Sequence, residues 1–375
     1  MTDELTMTIT DLPDRIARLE PQARDRFERL FEVSRSQGEC VVPATMRPWA
    51  IETFGSVEAI ERQTVIRVTN TVTWEGAQYN PIRMRRPMPV RSADGGPQSP
   101  DRRAQSDIFA TPLESTAADT FGRVHGKHCV TTSNIARWEG MNAVLIFDAF
   151  DPLAVDEAHM RDYFAASREW ARRARLAAPG ARHFVWMWNG GPMGGASIPH
   201  AHAQLALAHG RTYPFIERLR LAALGYRARY GSDYFADLLA AHADVGLGFE
   251  LGGVPGLINL GALRGYDTWL LGAAFDDSLA SAFARALRAL IDQAGTRAFT
   301  ASVVMPPFNA EGGPERPDDP EWRGFPFIAR IVDRGRADAA SSDIGSLDLF
   351  GASVISHDPY VAAAALRTAA QESNP

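Results

Sequence analysis

The sequence predicts an α+β fold made of a duplicated unit that follows an N-terminal helical extension. Apolar, β-rich runs alternate with longer runs whose apolar residues recur at helical spacing. The order of these runs in the first half of the chain returns in the second half, where Phe275 aligns with Phe150 at an offset of 125 residues. We therefore predict three parts, namely residues 1–62, 63–212 and 213–375.

Composition and charge limit the possible functions. The 375 residues are 45% hydrophobic and 22% charged, with no apolar run of about 18 residues that could span a bilayer. The N-terminus is acidic and lacks the features of a signal peptide. A net charge of −6 does not suit a phosphate backbone as partner. We expect a cytoplasmic protein that binds neither nucleic acid nor membrane.

The predicted elements follow from local patterns. Residues 14–18 and 24–33 have helical spacing and form the extension. Residues 90–120 are rich in Pro, Gly, Ser, Asp and Arg and are interpreted as a loop or lid. The remaining strands are predicted at residues 65–74, 128–133, 142–147, 183–188, 204–208, 267–274, 299–305 and 325–332. The remaining helices are predicted at residues 156–176, 213–230, 232–241, 277–293 and 359–367.

One stretch, residues 183–208, carries the candidate chemistry. A strand, a glycine-rich loop and a second strand place His200, His202 and Gln204 at every other position. Side chains at alternate positions of an extended chain share one face. The glycines allow backbone N–H groups to approach an anion. At an offset of 125, apolar residues replace this polar row in the second unit, at Phe325, Phe327 and Ala329.

Three interpretations of the two histidines are open. A metal site would need a third ligand, and neither Cys40 nor Cys129 stands at a supporting spacing. A purely structural pair would bury two imidazoles at a cost. A nucleophilic imidazole can attack phosphorus while the loop stabilises developing charge. The residues favour phosphoryl-type transfer through a histidine adduct.

The segment 189–204 resembles the signature of the histidine-triad-like nucleotidyltransferases. That group includes galactose-1-phosphate uridylyltransferases, diadenosine tetraphosphate phosphorylases and GDP-hexose phosphorylases. Its pattern is an asparagine, a glycine-rich loop, Gly-x-Ser and His-x-His-x-Gln. The matching residues here are Asn189, Gly194, Gly195, Ser197, His200, His202 and Gln204.

The resemblance implies roles for these residues. His202 would be the nucleophile, His200 would orient it, and Gln204 would contact the transferred phosphoryl group. Asn189, the loop glycines and Ser197 would bind substrate. Each duplicated unit would be an antiparallel sheet with helices packed against it.

Weaker matches extend the resemblance along the chain. Arg83 and Arg86 lie in a segment similar to the Arg-x-x-Arg-Pro of uridylyltransferases, where the arginines help to bind substrate phosphate across a dimer. This implies a homodimer. Asn134 resembles an asparagine that borders the nucleotide, and residues 342–351 resemble the last strand of the second repeat.

The implied function is nucleotidyl transfer through a covalent nucleotidyl-histidine. A nucleoside monophosphate would move from a nucleoside diphosphate-type donor to a sugar phosphate or inorganic phosphate. The alternatives are a dinucleoside polyphosphate or NDP-sugar phosphorylase, and a non-catalytic nucleotide-binding protein. The Cys-x-x-Cys pair of many uridylyltransferases is missing, so we predict no structural metal and no cofactor.

Overall fold

A computed structural model describes residues 7–85, 107–308, 320–337, 339 and 345–372. Within these ranges it has thirteen strands in two sheets and eleven α-helices, which confirms the α+β fold. The strands are β1 (Phe31–Glu39), β2 (Arg62–Asn70), β3 (Gly76–Tyr79), β4 (Cys129–Ser133), β5 (Met141–Phe147), β6 (Ala181–Gly190), β7 (His202–His209), β8 (Gly248–Leu251), β9 (Val254–Ile258), β10 (Gly265–Gly272), β11 (Phe299–Val304), β12 (Phe327–Asp333) and β13 (Ala352–Ile355). The helices are α1 (Leu12–Ala17), α2 (Pro21–Leu30), α3 (Arg47–Phe54), α4 (Glu58–Glu61), α5 (Pro81–Met84), α6 (Pro112–Ser115), α7 (Glu157–Ala177), α8 (Pro214–Tyr230), α9 (Tyr234–Asp244), α10 (Asp277–Asp292) and α11 (Pro359–Glu372).

The nine-stranded sheet displays the duplication. Its strand order is β4-β5-β7-β6-β11-β12-β10-β9-β8, and every pairing is antiparallel. The first unit, β4-β5-β7-β6, has α7 between β5 and β6. The second unit, β9-β10-β12-β11, has α10 in the equivalent place between β10 and β11. The predicted duplication is therefore confirmed, with the two units joined at the β6–β11 pair.

The predicted register of β12 is wrong by one residue. Gln204 lies opposite Met187, Met187 opposite Ser302, and Ser302 opposite Arg330. Directly opposed residues in an antiparallel sheet share a face, so Arg330 faces the same side as Gln204. Phe327, at an odd number of residues from Arg330, therefore faces the other side.

An offset of 126 residues instead of 125 aligns the two units so that matched residues of β7 and β12 face the same side of the sheet. It matches Gln204 with Arg330 and His202 with Ile328. A slip of one residue reverses every side chain of a strand, and sequence spacing across the connection from β11 to β12 does not reveal it. The second unit thus retains a charged residue in this row.

The equivalent helices of the two units, α7 and α10, each have an aspartate as the N-cap residue. The side chains of Asp156 and Asp276 accept hydrogen bonds from the backbone N–H groups of His159 and Leu279, which caps α7 and α10. Trp170 of α7 is fully buried, as are many apolar residues of α10. The core therefore lies between these helices and the sheet, which leaves the opposite face for the polar row.

The N-terminal part departs from the helical prediction. Helix α2 ends at Leu30, and residues 31–39 form β1, which pairs with β2 along its whole length. Of the helix predicted at residues 24–33, residues 24–30 lie in α2 as predicted, whereas pairing with β2 makes residues 31–33 part of a strand. A second sheet, β1-β2-β3-β13, includes a parallel pair between β3 and β13. Residues 342–344 of the predicted last strand lie outside the described residues.

No helix in the described ranges is both long enough and apolar enough to cross a membrane.

Candidate functional site

His202 and Gln204 of the predicted row lie on one side of β7, and His200 lies two residues before that strand. His202 is opposite Ile146 and Gln204 is opposite Val144, both on β5. The ring of Phe109 meets the His202 ring at a centroid distance of 5.2 Å and the His200 ring at 6.2 Å. Phe109 also packs in one apolar cluster with Val144 and Ile146. Both imidazoles therefore make T-shaped contacts with the same aromatic ring.

The tautomer of His202 follows from one hydrogen bond. Its Nδ1 lies 2.7 Å from the backbone carbonyl of His200. A carbonyl oxygen only accepts, so Nδ1 carries the hydrogen and Nε2 of the neutral ring carries the lone pair. Within the described ranges, no residue holds Nε2 in a hydrogen bond.

Burial keeps His202 uncharged. Its exposed fraction is 8%, and burial lowers the pKa of His202 below the ordinary value, as does the nearby His200. The hydrogen bond to the His200 carbonyl raises the pKa, but its effect is smaller than that of burial. At neutral pH the ring is therefore available as a nucleophile.

His200 is held at both ring nitrogens. Its Nε2 donates to the Phe147 carbonyl at 2.8 Å, and its Nδ1 lies 2.7 Å from Oδ2 of Asp107. A carbonyl oxygen only accepts, so Nε2 of His200 carries a hydrogen. Phe150 adds an edge contact at 5.4 Å. These contacts engage both ring nitrogens of His200, whose backbone carbonyl accepts the hydrogen bond from His202.

Gln204 is oriented by Trp138. The indole Nε1 donates to Oε1 of Gln204 at 3.0 Å, so the amide Nε2 remains the donating end. The Trp138 ring also contacts Tyr213, whose hydroxyl donates to Glu139 at 2.5 Å. An aromatic wall thus flanks the row on this side.

The glycine loop is shaped by close backbone contacts. A Cβ on Gly194 would lie 2.3 Å from the Phe299 carbonyl oxygen, so no larger residue fits without movement of the chain. Gly195 has φ +99°, which L side chains rarely adopt. Thr300 donates to the Gly194 carbonyl at 2.9 Å, and Asn189 Nδ2 lies 3.5 Å from the Gly195 carbonyl. Ser197 is exposed in the same loop.

Three further predicted residues have different positions. Asn134 follows β4, is half-buried and accepts a hydrogen bond from the Ala136 N–H. Arg83 is exposed on α5, beside the smaller sheet. In the part of the chain that the structure describes, no hydrogen bond, ion pair or ring contact joins Arg83 to the row at residues 200–204. Arg86 lies outside the described residues.

Sequence reasoning missed Asp107, Phe109 and Trp138. The first two lie in residues 90–120, which the composition marked only as a loop or lid. The one local signal is that Asp107 Oδ1 accepts from the Phe109 N–H at 3.0 Å, a turn that aspartate favours. Trp138 also lies between strands, where periodicity gives no signal.

One group of side chains in the described ranges has the spacing of metal ligands. It comprises His128, Asp148 and His159, and their ligand atoms lie within 4.8 Å of one another. The group contains no member of the polar row.

Comparison with known proteins shows the fold. No protein-family model matches the chain, and no curated protein matches it in sequence. Among solved structures, it is similar to an ADP-glucose phosphorylase from Arabidopsis thaliana with bound ADP-glucose. The identity is 13% and the TM-score 0.58, over 80% of this chain and 97% of that one.

Two more structures agree with this result. A uridylyltransferase is 16% identical with a TM-score of 0.55, over 81% of this chain and 98% of that chain. A GalT-like protein from Arabidopsis thaliana is 13% identical with a TM-score of 0.56, over 80% and 97%. The fold predicted from the resemblance is therefore confirmed, while identities this low do not transfer a substrate.

Proposed function

We propose that this protein is a nucleotidyltransferase that works through a nucleotidyl-His202 intermediate. The observation that carries the proposal is the hydrogen bond from His202 Nδ1 to the His200 carbonyl. It leaves the lone pair on Nε2 of a buried, neutral imidazole. The fully buried His242 makes the same kind of bond from Nδ1, to the Leu238 carbonyl, but its Nε2 accepts the Leu260 N–H, whereas no described residue binds Nε2 of His202.

In the first step, Nε2 attacks the α-phosphorus of a nucleoside diphosphate-linked donor. A P–N bond forms as the P–O bond to the departing phosphate breaks, and the bonding electrons leave with that oxygen. The positive charge left on the imidazole is stabilised by the Nδ1–H bond to the His200 carbonyl. In the second step, a phosphate oxygen of the acceptor attacks phosphorus, and the P–N electron pair returns to Nε2.

The surroundings of His202 suit the charge that develops on the phosphoryl oxygens. Pro192 has no N–H and the Gly195 N–H already donates to the Pro192 carbonyl, so the donors we assign are the loop N–H groups of Gly191, Met193 and Gly194 and the amide Nε2 of Gln204. Asn189 and Ser197 extend this loop. We therefore assign the phosphoryl group to the space between the loop and Gln204.

The substrates we propose are a nucleotide sugar as donor and a sugar phosphate or inorganic phosphate as acceptor. The similarity to an ADP-glucose phosphorylase and a uridylyltransferase supports this class. Asn134 would border the nucleotide. Arg83 and Arg86 would bind the acceptor phosphate, in a homodimer whose catalytic unit is residues 63–212.

Isotope exchange tests the two-step route. The protein is incubated with UDP-glucose or ADP-glucose and labelled glucose 1-phosphate, with no second nucleotide. A covalent intermediate returns label to the nucleotide sugar, and His202→Asn abolishes this exchange. His183→Asn, on β6, is the control and keeps it. Binding of nucleotide sugars without exchange or turnover, with phosphate or sugar phosphate supplied, would indicate the non-catalytic alternative.

Replacing the acceptor separates the two catalytic variants of the proposal. Turnover with inorganic phosphate alone indicates a phosphorylase, and turnover that requires a sugar phosphate indicates a transferase. Product formation with neither acceptor would contradict the proposal, because it indicates hydrolysis.

A further inference from the structure

We propose that His128, Asp148 and His159 form a binding site for a divalent transition metal of the zinc class. The proposal is independent of nucleotidyl transfer. It also departs from the sequence-based expectation of no metal, which rested on the missing Cys-x-x-Cys pair and on the spacing of the histidines from the cysteines.

The three side chains converge from separate elements. His128 immediately precedes β4, Asp148 immediately follows β5, and His159 lies in the first turn of α7. His128 Nδ1 lies 2.8 Å and His159 Nε2 3.8 Å from the two Asp148 oxygens. The centroids of the two imidazole rings are 4.3 Å apart. Ligand atoms around one zinc ion are about 3.3 Å apart, given bonds of about 2 Å, so small side-chain movements would suffice.

A second carboxylate orients one of the histidines. His159 Nδ1 lies 2.7 Å from Oδ1 of Asp156, so this nitrogen donates and Nε2 is left to bind a metal. The same Oδ1 of Asp156 also accepts the backbone N–H of His159 at 3.0 Å, so the carboxylate is held against this histidine. Asp156 also caps α7, so the helix start fixes its position.

Backbone contacts hold the ligand-bearing segments together without a metal. The Asp148 N–H donates to the His128 carbonyl at 2.9 Å. The N–H groups of Lys127 and His128 both donate to the Asp162 carboxylate, at 2.9 and 2.7 Å. The site is thus already assembled in the folded chain, which reduces the ordering cost of metal binding.

The chemistry of the donor set selects the metal. Two imidazoles and one carboxylate suit zinc and its neighbours better than Mg²⁺ or Ca²⁺, which prefer oxygen ligands. Cys129 is adjacent to His128, but its Sγ lies 3.5 Å from Oδ2 of Asp162, and the thiol is not part of the converging group. Asp148 is half exposed, which gives the ion and a fourth, water ligand access.

Cobalt titration of chelator-treated protein tests the site. We expect one Co²⁺ per chain with a visible d–d absorption, displaced by Zn²⁺ but not by Mg²⁺. Asp148→Asn and His159→Gln should weaken binding at least about 10-fold, and Asp156→Asn about 10-fold or more through the lost orientation of His159. His209→Gln, an exposed histidine outside the group, is the matched control and should bind as the native protein does.

A thermal scan covers the possibility that a variant folds poorly. Zn²⁺ should raise the melting temperature of the native protein and of His209→Gln, but not that of Asp148→Asn. Equal affinity in the native protein and a His128→Gln/His159→Gln double variant would overturn the proposal. Loss of the metal on His200→Gln instead would also overturn it, because the ion would then belong to the polar row.

Discussion

The two units of the nine-stranded sheet use the same face of their equivalent strands, β7 and β12, in opposite ways. In the first unit, His202 is tied at one nitrogen only, and Nε2 is left available. In the second unit, Arg330 donates twice to Asp267, at 2.7 and 2.8 Å, and lies over the rings of Trp269 and Phe215. Both arrangements bury polar groups. The Arg330–Asp267 ion pair is fully satisfied and stabilises the fold. The lone pair on Nε2 of His202, beside the Phe109 ring, is available for reaction.

The largest expected effect is loss of turnover in His202→Asn. Removing a nucleophile costs about 10⁴-fold or more in kcat. Steady-state kinetics with the active nucleotide sugar measures this, and circular dichroism checks that the variant is folded. Activity within tenfold of the native protein would show that the two units do not differ as described.

A substitution at the Arg330–Asp267 pair of the second unit should lower the free energy of unfolding. Asp267→Ala leaves Arg330 buried without its charge partner, and breaking a buried pair costs about 3–5 kcal/mol of unfolding free energy. Urea unfolding measures it. Asp277→Ala, which removes an exposed pair with Arg168, is the control and should change the midpoint little. Equal shifts for the two variants would contradict the structural role of the Arg330 pair.

Gly194→Ala tests the loop of the first unit. The added Cβ would meet the Phe299 carbonyl oxygen at 2.3 Å, so the loop must move, at a cost of about 1–3 kcal/mol. We expect kcat to fall about 100-fold because the phosphoryl donors shift. Gly225→Ala, in α8 with open space around it, should retain activity and stability. A fully active Gly194→Ala would contradict the assignment of the loop.

The variant Asp107→Asn tests whether His200 acts by positioning His202. Asparagine retains an oxygen for the Phe109 N–H but removes the charge that faces His200 Nδ1. We expect kcat to fall about 10-fold with little change in KM, since His200 acts by positioning His202. A change in KM alone would instead indicate that Asp107 contacts substrate.

The smallest effect concerns pH. An ordinary histidine takes up a proton at about pH 6.5. Because burial lowers the pKa of His202, its ring stays neutral to a lower pH than that. The acid limb of kcat/KM should therefore lie below pH 6.5. Folding stability linked to this group is present above about pH 6.5 and is lost as the pH falls through its folded value. An acid limb above pH 6.5 would contradict a buried neutral nucleophile.

Local patterns predicted much of the fold but not the contacts between distant segments. The helices that became α7 and α10 and the strands around them were predicted because their periodicity is strong. Register in β12 was missed because one residue reverses a strand. Residues 31–33 were predicted as helix because their pairing partner, β2, is outside any local window.

In the candidate site, too, the residues that are close in sequence were predicted and those that come from distant segments were not. His200, His202 and Gln204 stand close in sequence, so their shared face followed from spacing alone. Asp107 lies 93 residues from His200, and the ligands of the proposed metal site come from three elements, so only the tertiary structure brings them together. The roles of all these residues stay predictions.

The most direct measurement is the mass of the protein after incubation with a nucleotide sugar and no acceptor. We expect an increment equal to one nucleoside monophosphate, located by peptide mapping on His202. It should disappear on addition of acceptor, and in acid, because a phosphoramidate hydrolyses there. An adduct on another residue, or turnover with no adduct at any time, would contradict the account.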